Sequence, residues 1–247
     1  MKVAIAGAGG RMGRTLIEAV EADRELDLAA LLDVTGVGED ISGVRVSDDP
    51  ETIARADVLI DFTRPEGTLA HLKHARACVI GTTGFDEKGT AQIAKASKRI
   101  PIVLSPNFAV GVNVVFKLAE TAAQTLGDAY DVEIVEAHHR HKVDAPSGTA
   151  LKLGDLVAAV LKKKDFAFGR KGDTGERPRK QIGYHAIRGG DIVGEHTVIY
   201  AGQGERVEIT VRSQSRMTYA LGALRAAKWL KGKPAGLYDM FDVLGLR

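Results

Sequence analysis

The chain has 247 residues, 45% hydrophobic and 27% charged, with 34 Lys and Arg against 32 Asp and Glu. That is enough apolar material for one large or two ordinary domains, and a net charge of +2 excludes the broad basic field that a nucleic-acid partner needs, so any cationic site must be local. The one cysteine, Cys78 in "ACVIGTT", excludes an intramolecular disulfide and a thiolate zinc cluster and reads as an inert core thiol.

No run of about 18 apolar residues could span a membrane. The N-terminal stretch has too short an apolar run and too many arginines for a signal peptide, so a cytoplasmic location is expected. In chain order, Lys2 to Ala6 is a strand running into glycines, Met12 to Glu21 has helical spacing, and Leu26 to Leu32 is a second strand. Val58 to Asp61, Val79 to Gly81 and Ile102 to Leu104 are further short apolar runs, separated by helical stretches around Thr68 to Ala75 and Glu87 to Ala96. Strands alternating with helices of this length predict a parallel sheet.

After about Ala109 the texture changes. A helix is expected over Val112 to Leu126, a strand over Asp131 to Glu136, and a helix from Gly148 to about Lys163. The stretch "LKKKDFAFGRKGDTGERPRK" is charged, glycine-rich and aperiodic, and reads as a mobile surface loop. From Gly183 onwards come strands and glycine turns, expected to be mostly antiparallel, and in "RVEITVRS" Val207, Ile209 and Val211 mark a face to be buried. The C-terminal "YALGALRAAKWL" is a helix whose apolar face can pack back on the first sheet. The expected fold class is α/β, with residues 1–109 and 219–247 forming a parallel-sheet domain and residues 110–218 a smaller α+β domain.

"VAIAGAGGRMG" places Gly7, Gly10 and Gly13 three apart between the first strand and the first helix. Gly7 suits the tight turn, Gly10 lets a pyrophosphate approach the backbone, and Gly13 allows close helix–sheet packing. The helix start offers amides and a favourable dipole to an anion. Asp33 stands twenty residues after Gly13, at the end of the second strand, where an acid can accept hydrogen bonds from an adenosine ribose. Together these predict dinucleotide binding.

"EAHHRHKVDAPSGTA" gathers three histidines, an arginine and a lysine between His138 and Lys142. A metal is disfavoured because no adjacent acid or thiolate completes a ligand set, and neighbouring side chains of an extended segment point to opposite faces. A solvated charged loop and an anion pocket remain. Ser147, Gly148 and Thr149 open a helix beside the cationic cluster, which favours a pocket that grips a small dicarboxylate and supplies protons.

The series "GAGGRMGR", "DFTRPEGT", "IGTTGF", "SPNFAVGVN", "EAHHRHKVDAPSGTA" and "IRGGDIVGEHTV" resembles the successive signatures of the 4-hydroxy-tetrahydrodipicolinate reductase (dihydrodipicolinate reductase) family, in order along the whole chain. The resemblance implies a cytoplasmic, NADH- or NADPH-dependent oxidoreductase of the diaminopimelate route to lysine. It also implies a Rossmann domain rejoined by the C-terminal helix, and a substrate domain whose sheet builds a homotetramer. By the same resemblance, Gly7, Ala8, Gly9, Gly10, Arg11 and Met12 cradle the pyrophosphate and Asp33 holds the ribose. Phe62 and Thr63, Gly81, Thr82 and Thr83, and Ser105, Pro106, Asn107 and Phe108 lie along the cofactor. His138 matches the proton donor/acceptor and Lys142 the proton donor, while His139, Gly148 and Thr149 match positions that bind the substrate carboxylates. No metal site, membrane or nucleic-acid partner is expected.

In two respects the chain departs from the family pattern. Many members carry an arginine directly after the ribose acid, where this chain has Val34, and the stretch between Asp33 and "DFTRPEGT" is shorter than usual. Both changes lie beside the expected adenosine and favour NADH over NADPH.

Overall fold

The computed structural model describes residues 1–247, which form two compact units, Met1–Val110 with Arg216–Arg247, and Gly111–Ser215. The elements are β1 (Lys2–Ala6), α1 (Arg11–Glu21), β2 (Asp27–Leu32), β3 (Asp40–Ile41), β4 (Val44–Ser47), β5 (Val58–Asp61), α2 (Pro65–His71), β6 (Cys78–Ile80), α3 (Glu87–Ala96) and β7 (Pro101–Leu104). They continue with α4 (Val110–Leu126), β8 (Asp131–His138), α5 (Gly148–Leu161), β9 (Asp165–Phe168), β10 (Gln181–Arg188), β11 (Gly194–Ala201), β12 (Arg206–Ser213), α6 (Met217–Trp229), β13 (Gly236–Tyr238) and α7 (Met240–Leu244).

The first unit is built on an eight-stranded sheet in the order β13-β7-β6-β5-β1-β2-β4-β3. All its pairs are parallel except β3 with β4, a short hairpin turned by Ser42 and Gly43, both at positive φ. Alternation along β1 explains the layering. Val3 and Ile5 join one core with Leu16, Ile17 and Val20 of α1 and Ala223, Leu224 and Ala227 of α6. Ala4 and Ala6 join the opposite core with Ile53, Leu72 of the chain after α2, and Ile93 of α3. Sheet faces covered on both sides explain why these strands read as continuous apolar runs. Helix α6 comes so close that a Cβ at Gly222 would be driven into the Phe108 carbonyl, so only glycine fits there. Cys78 lies fully buried in β6, and burial pushes its thiol well above the usual range.

The second unit carries a five-stranded sheet in the order β12-β11-β8-β10-β9. The expected antiparallel character holds only for β11 with β8 and β12; β10 is parallel to both β8 and β9. The reason is the connection: the chain leaves β8, runs through α5, and returns as a crossover, which brings strands back parallel. Val132, Ile134, Ile182, Val198 and Tyr200 are buried beneath α4 and α5, and Tyr200 donates to the Ala119 carbonyl at 2.6 Å.

Two further expectations need correction. Residues 164–180 include β9 and are tied to the sheet rather than free. Arg170 makes two hydrogen bonds to Glu133 (both 2.9 Å), and Arg177 reaches Glu133, Asp131 and the carbonyls of Val132 and Gln181. Burial alone would raise the Glu133 carboxyl, but the bonds from Arg170, Arg177 and His185 hold it down at about 2. In β12 the apolar face is not buried within the unit: Val207 is 37% exposed, because β12 is the edge strand.

Candidate active site

In the first unit the chain passes from β1 to β2 on one side and later crosses to β5 on the other, so the strand order reverses between β1 and β5. Ligands of open parallel sheets bind outside the carboxyl ends at such a point. Gly7 lies there at φ +84°, and the amides of Gly7 and Ala8 both donate to the Leu32 carbonyl (2.8 and 3.1 Å). Gly10 is the N-cap of α1 and no side chain caps that helix, unlike α3 and α5, which Asp86 and Ser147 close. The first turn, with Arg11 and Met12, thus offers its amides to an anion from outside, which fits a dinucleotide pyrophosphate.

Gly13 is fixed by packing: a Cβ there would strike the Gly7 carbonyl and the Ala8 Cα. Gly13→Ala is therefore expected to cost about 1–3 kcal/mol, lower Tm by several degrees and weaken nucleotide binding, readable by thermal melts with and without nucleotide.

Asp33 does more than sequence suggests. Its Oδ2 accepts from the Gly9 amide (2.9 Å), and its Oδ1 from the Thr35 amide and hydroxyl (3.0 and 2.9 Å). Burial would raise this carboxyl, but the bonds from Thr35 and Gly9 hold it below the usual range. It pins the glycine loop and retains lone pairs for another donor. Val34 beside it is 88% exposed.

Three segments gather near Gly7. A Cβ on Gly7 would meet the Phe62 carbonyl at 3.0 Å, and one on Gly81 would enter the Phe62 ring. Thr82 accepts from the Thr63 amide at 3.0 Å, and the Phe62 and Phe108 rings lie 5.7 Å apart. Thr83 and Pro106 are exposed, while Ser105, Asn107 and Phe108 are buried. The Ser105 hydroxyl donates to the Asn107 carbonyl (2.8 Å), and Asn107 Oδ1 accepts from the Ala109 amide (2.9 Å). Phe108, 1% exposed, belongs to the core.

In the second unit the chemistry gathers at the carboxyl end of β8. Residues two apart on a strand share a face, so Glu136 and His138 stand together on the side covered by α5. Glu136 is 1% exposed. It receives His138 Nδ1 (2.6 Å), both terminal nitrogens of Arg188 (2.8 and 2.7 Å) and the Ser147 amide (3.1 Å). Burial alone would raise the Glu136 carboxyl; the Arg188 and His138 bonds outweigh it and keep it below the usual range. A carboxylate only accepts, so His138 carries a proton on Nδ1 and presents Nε2 as its working nitrogen. Burial lowers the His138 pKa, Glu136 opposes that, and Lys142 and Arg188 add to the fall.

The Ser147 hydroxyl bonds His196 Nε2 (2.9 Å) and accepts from the Ala150 amide (3.2 Å), capping α5 where Gly148 and Thr149 open it. The His138 and His196 rings meet edge to face at 5.1 Å. His139 Nδ1 is buried with no hydrogen-bond partner, while Lys142 is held by the exposed Asp144 at 2.8 Å. A pair this exposed is weak and exchanges readily. The structure therefore brings together His138, Ser147 and the start of α5, and adds Glu136, Arg188 and His196, which sequence reasoning passed over. The Glu136/His138 spacing was the available signal; Arg188 reaches them only through the β8–β10 register, Arg188 opposite His138. No group of three or more His, Cys, Asp or Glu is placed to hold a metal ion, and no helix is long and apolar enough to cross a membrane.

A parallel sheet with the glycine loop at its point of reversal is the signature of a Rossmann-type dinucleotide-binding domain. The family description "Dihydrodipicolinate reductase, N-terminus" matches residues 1–108 and "Dihydrodipicolinate reductase, C-terminus" residues 111–244. The chain belongs to the dihydrodipicolinate reductase family. It is 56% identical over 266 residues to the 4-hydroxy-tetrahydrodipicolinate reductase of Aromatoleum aromaticum, covering 100% of this chain and 96% of that one. It is 57% identical over 265 residues to that of Burkholderia pseudomallei, covering 100% of both. Among solved structures, a dipicolinate-bound dihydrodipicolinate reductase from Paenisporosarcina sp. TG-14 superposes with a TM-score of 0.81 at 26% identity, covering 98% of each chain.

Proposed function

We propose that the chain reduces 4-hydroxy-tetrahydrodipicolinate to tetrahydrodipicolinate in lysine and diaminopimelate biosynthesis, using NADH or NADPH. The observation that carries this is the buried Glu136–His138–Arg188 cluster beside the opening of α5. A cationic rim with a helix N-terminus suits a small dicarboxylate.

Loss of the hydroxyl as water leaves the substrate ring a conjugated imine, to which a bound reduced nicotinamide would supply a hydride. His139, Gly148 and Thr149 hold the two carboxylates. Glu136 fixes the His138 tautomer so that Nε2 takes or gives a proton, and Lys142, released from Asp144, stabilises the charge that develops at the ring nitrogen and protonates it. In the first unit, the glycine loop from Gly7 to Met12 carries the pyrophosphate, Asp33 the ribose, and Phe62 to Thr63, Gly81 to Thr83 and Ser105 to Phe108 flank the remainder. The same reading makes the protein a cytoplasmic homotetramer built through its second sheet, where Phe168, Ile187 and Val207 stand exposed.

The test couples the protein to a synthase that condenses pyruvate with aspartate semialdehyde and follows nicotinamide absorbance. Loss of absorbance that depends on both the synthase and this protein supports the proposal; a flat trace with active synthase rejects it.

The site also predicts a pH dependence of stability. Burial, followed by the charge on His138, pushes His196 down from 6.5 to about 4. The unfolded chain therefore takes up a proton at this ring well before the folded one does. The neutral ring's contribution is complete above pH 6.5 and is lost as pH falls towards 4, by roughly 3 kcal/mol in all. His138, lowered as well, acts in the same direction. Urea unfolding at pH 7.5 and 4.5 should show this loss, and His196→Gln should lose visibly less.

A further inference from the structure

Asp61 ends β5 at the reversal point beside β1, and it is 0% exposed. Neither the glycine loop nor the proton-handling cluster explains a carboxylate there, yet donors from three segments converge on it. Its Oδ1 accepts from the Thr63 amide (3.0 Å), the Thr63 hydroxyl (2.6 Å) and the Thr68 hydroxyl (3.0 Å), with Thr82 Oγ1 at 3.3 Å. His71 Nδ1 holds Oδ2 at 2.8 Å. A carboxyl group buried this completely is held by its hydrogen bonds, and those bonds in turn fix the hydroxyls around it.

The hydroxyl protons show how. Thr82 Oγ1 accepts from the Thr63 amide (3.0 Å) and reaches Asp61 with its own proton, while the single proton of Thr68 has Asp61 (3.0 Å) and Thr82 (2.8 Å) as its two acceptors, so both hydroxyls are engaged inside the cluster. Thr63 differs. Its single proton has its shortest acceptor in Asp61, the alternatives, the Arg64 carbonyl and the Thr68 hydroxyl, both lying at 3.3 Å, and the residue is only half-buried. With that proton committed inward, Thr63 can meet a ligand only through oxygen lone pairs. It stands directly beside the glycine loop, for a Cβ on Gly7 would lie 3.3 Å from its Cγ2.

We propose that Asp61, clamped by His71, is a positioning residue that turns Thr63 into an obligate acceptor for a donor on the nicotinamide half of the cofactor. That donor is the carboxamide NH2 or a ribose hydroxyl, and the arrangement fixes how the ring is presented. This rests on the dinucleotide reading of the first unit.

The test uses full-length protein, NADH, and the reduced 3-acetylpyridine analogue, which keeps the ribose and the carbonyl but lacks the NH2. Binding of NADH to the unmodified protein checks the underlying reading by itself, before any variant is made. Thr63→Val should then lower kcat/KM for NADH roughly tenfold, chiefly through KM, with Tm lowered because buried Asp61 loses a donor, and Thr63→Ser should restore both. If the loss is confined to NADH, the donor is the amide; if both cofactors suffer equally, it is the ribose. Asp61→Ala should reproduce the Thr63→Val pattern, and Asp61→Asn, whose amide oxygen can still accept from Thr63, should recover most of the loss. A folded Thr63→Val with unchanged kinetics on both cofactors would overturn the proposal.

Discussion

Lys142→Ala is expected to lower turnover by about two orders of magnitude or more while leaving nucleotide affinity nearly unchanged. The lysine belongs to the Gly111–Ser215 unit, apart from the glycine loop, and its only partner in the structure is the exposed carboxylate of Asp144. Removing it leaves no buried group unsatisfied, so stability should hold and the loss should be chemical. His138→Ala should also act mainly on turnover, with an added stability cost, because it strips a partner from Glu136 in a buried site. Glu136→Gln separates the two effects. The amide can offer its NH2 to His138 Nδ1, which would then have to give up its proton and shift the ring to the other tautomer, so turnover should fall with His138 still present. Steady-state rates beside nucleotide titrations decide the matter. Retention of more than roughly half the turnover in Lys142→Ala would remove it as proton donor.

The sequence was most legible where one physical signal dominates. The strands β1, β2, β5, β6 and β7 announce themselves as short apolar runs because both faces of their sheet are covered, and the helices between them by spacing. Edges were harder to read. The β3–β4 hairpin has two- and four-residue strands, and its Ser42–Gly43 turn lacks the usual Asn or Asp. Strand β13 has three residues and pairs only with β7, far back in the chain. In the second unit the glycine turns suggested hairpins. Yet a helix between Asp131 and Gly183 implies a crossover, and a crossover returns its strand parallel whatever turns follow it.

The site was legible to the same degree. Gly7 to Gly13 and the His138–Thr149 stretch carry their chemistry within one local segment. Arg188 and His196 reach their partners across 52 and 49 residues of chain, which composition and spacing do not encode. The donors around Asp61, although most are within 10 residues, converge only once the end of β5 and the start of α2 are folded. Arg170 and Arg177 show the converse: a charge-rich, aperiodic stretch looked solvated because its partner, Glu133, is 37 residues away from the nearer of them.

The second large effect concerns the cofactor. Asp33 is held as an anion by Gly9 and Thr35 and retains lone pairs for the ribose hydroxyls of NADH. The extra phosphate of NADPH would bring negative charge against it. An adjacent arginine could offset that repulsion, but the adjacent residue is Val34, 88% exposed and uncharged. The stretch that follows folds into the β3–β4 hairpin, whose Arg45 stands exposed opposite Asp40. Arg45 and Arg11, also exposed, are the cations that could swing towards a phosphate. Each would have to do so from a mobile side chain, at an entropic cost that a preplaced arginine avoids. Loss of one charge-assisted hydrogen bond costs about 1.5–3 kcal/mol, or roughly ten- to a hundredfold in affinity. We therefore expect kcat/KM to be higher with NADH by several-fold at least. Val34→Arg should narrow the gap by raising the NADPH value, and Arg45→Ala should widen it if that side chain does the rescuing. Rates with both cofactors at low and moderate salt measure the effect, since screening weakens an exposed charge contact. A clear preference for NADPH in the unmodified protein would show that Asp33 and Val34 do not set the choice, and that a cation beyond the end of β2 does.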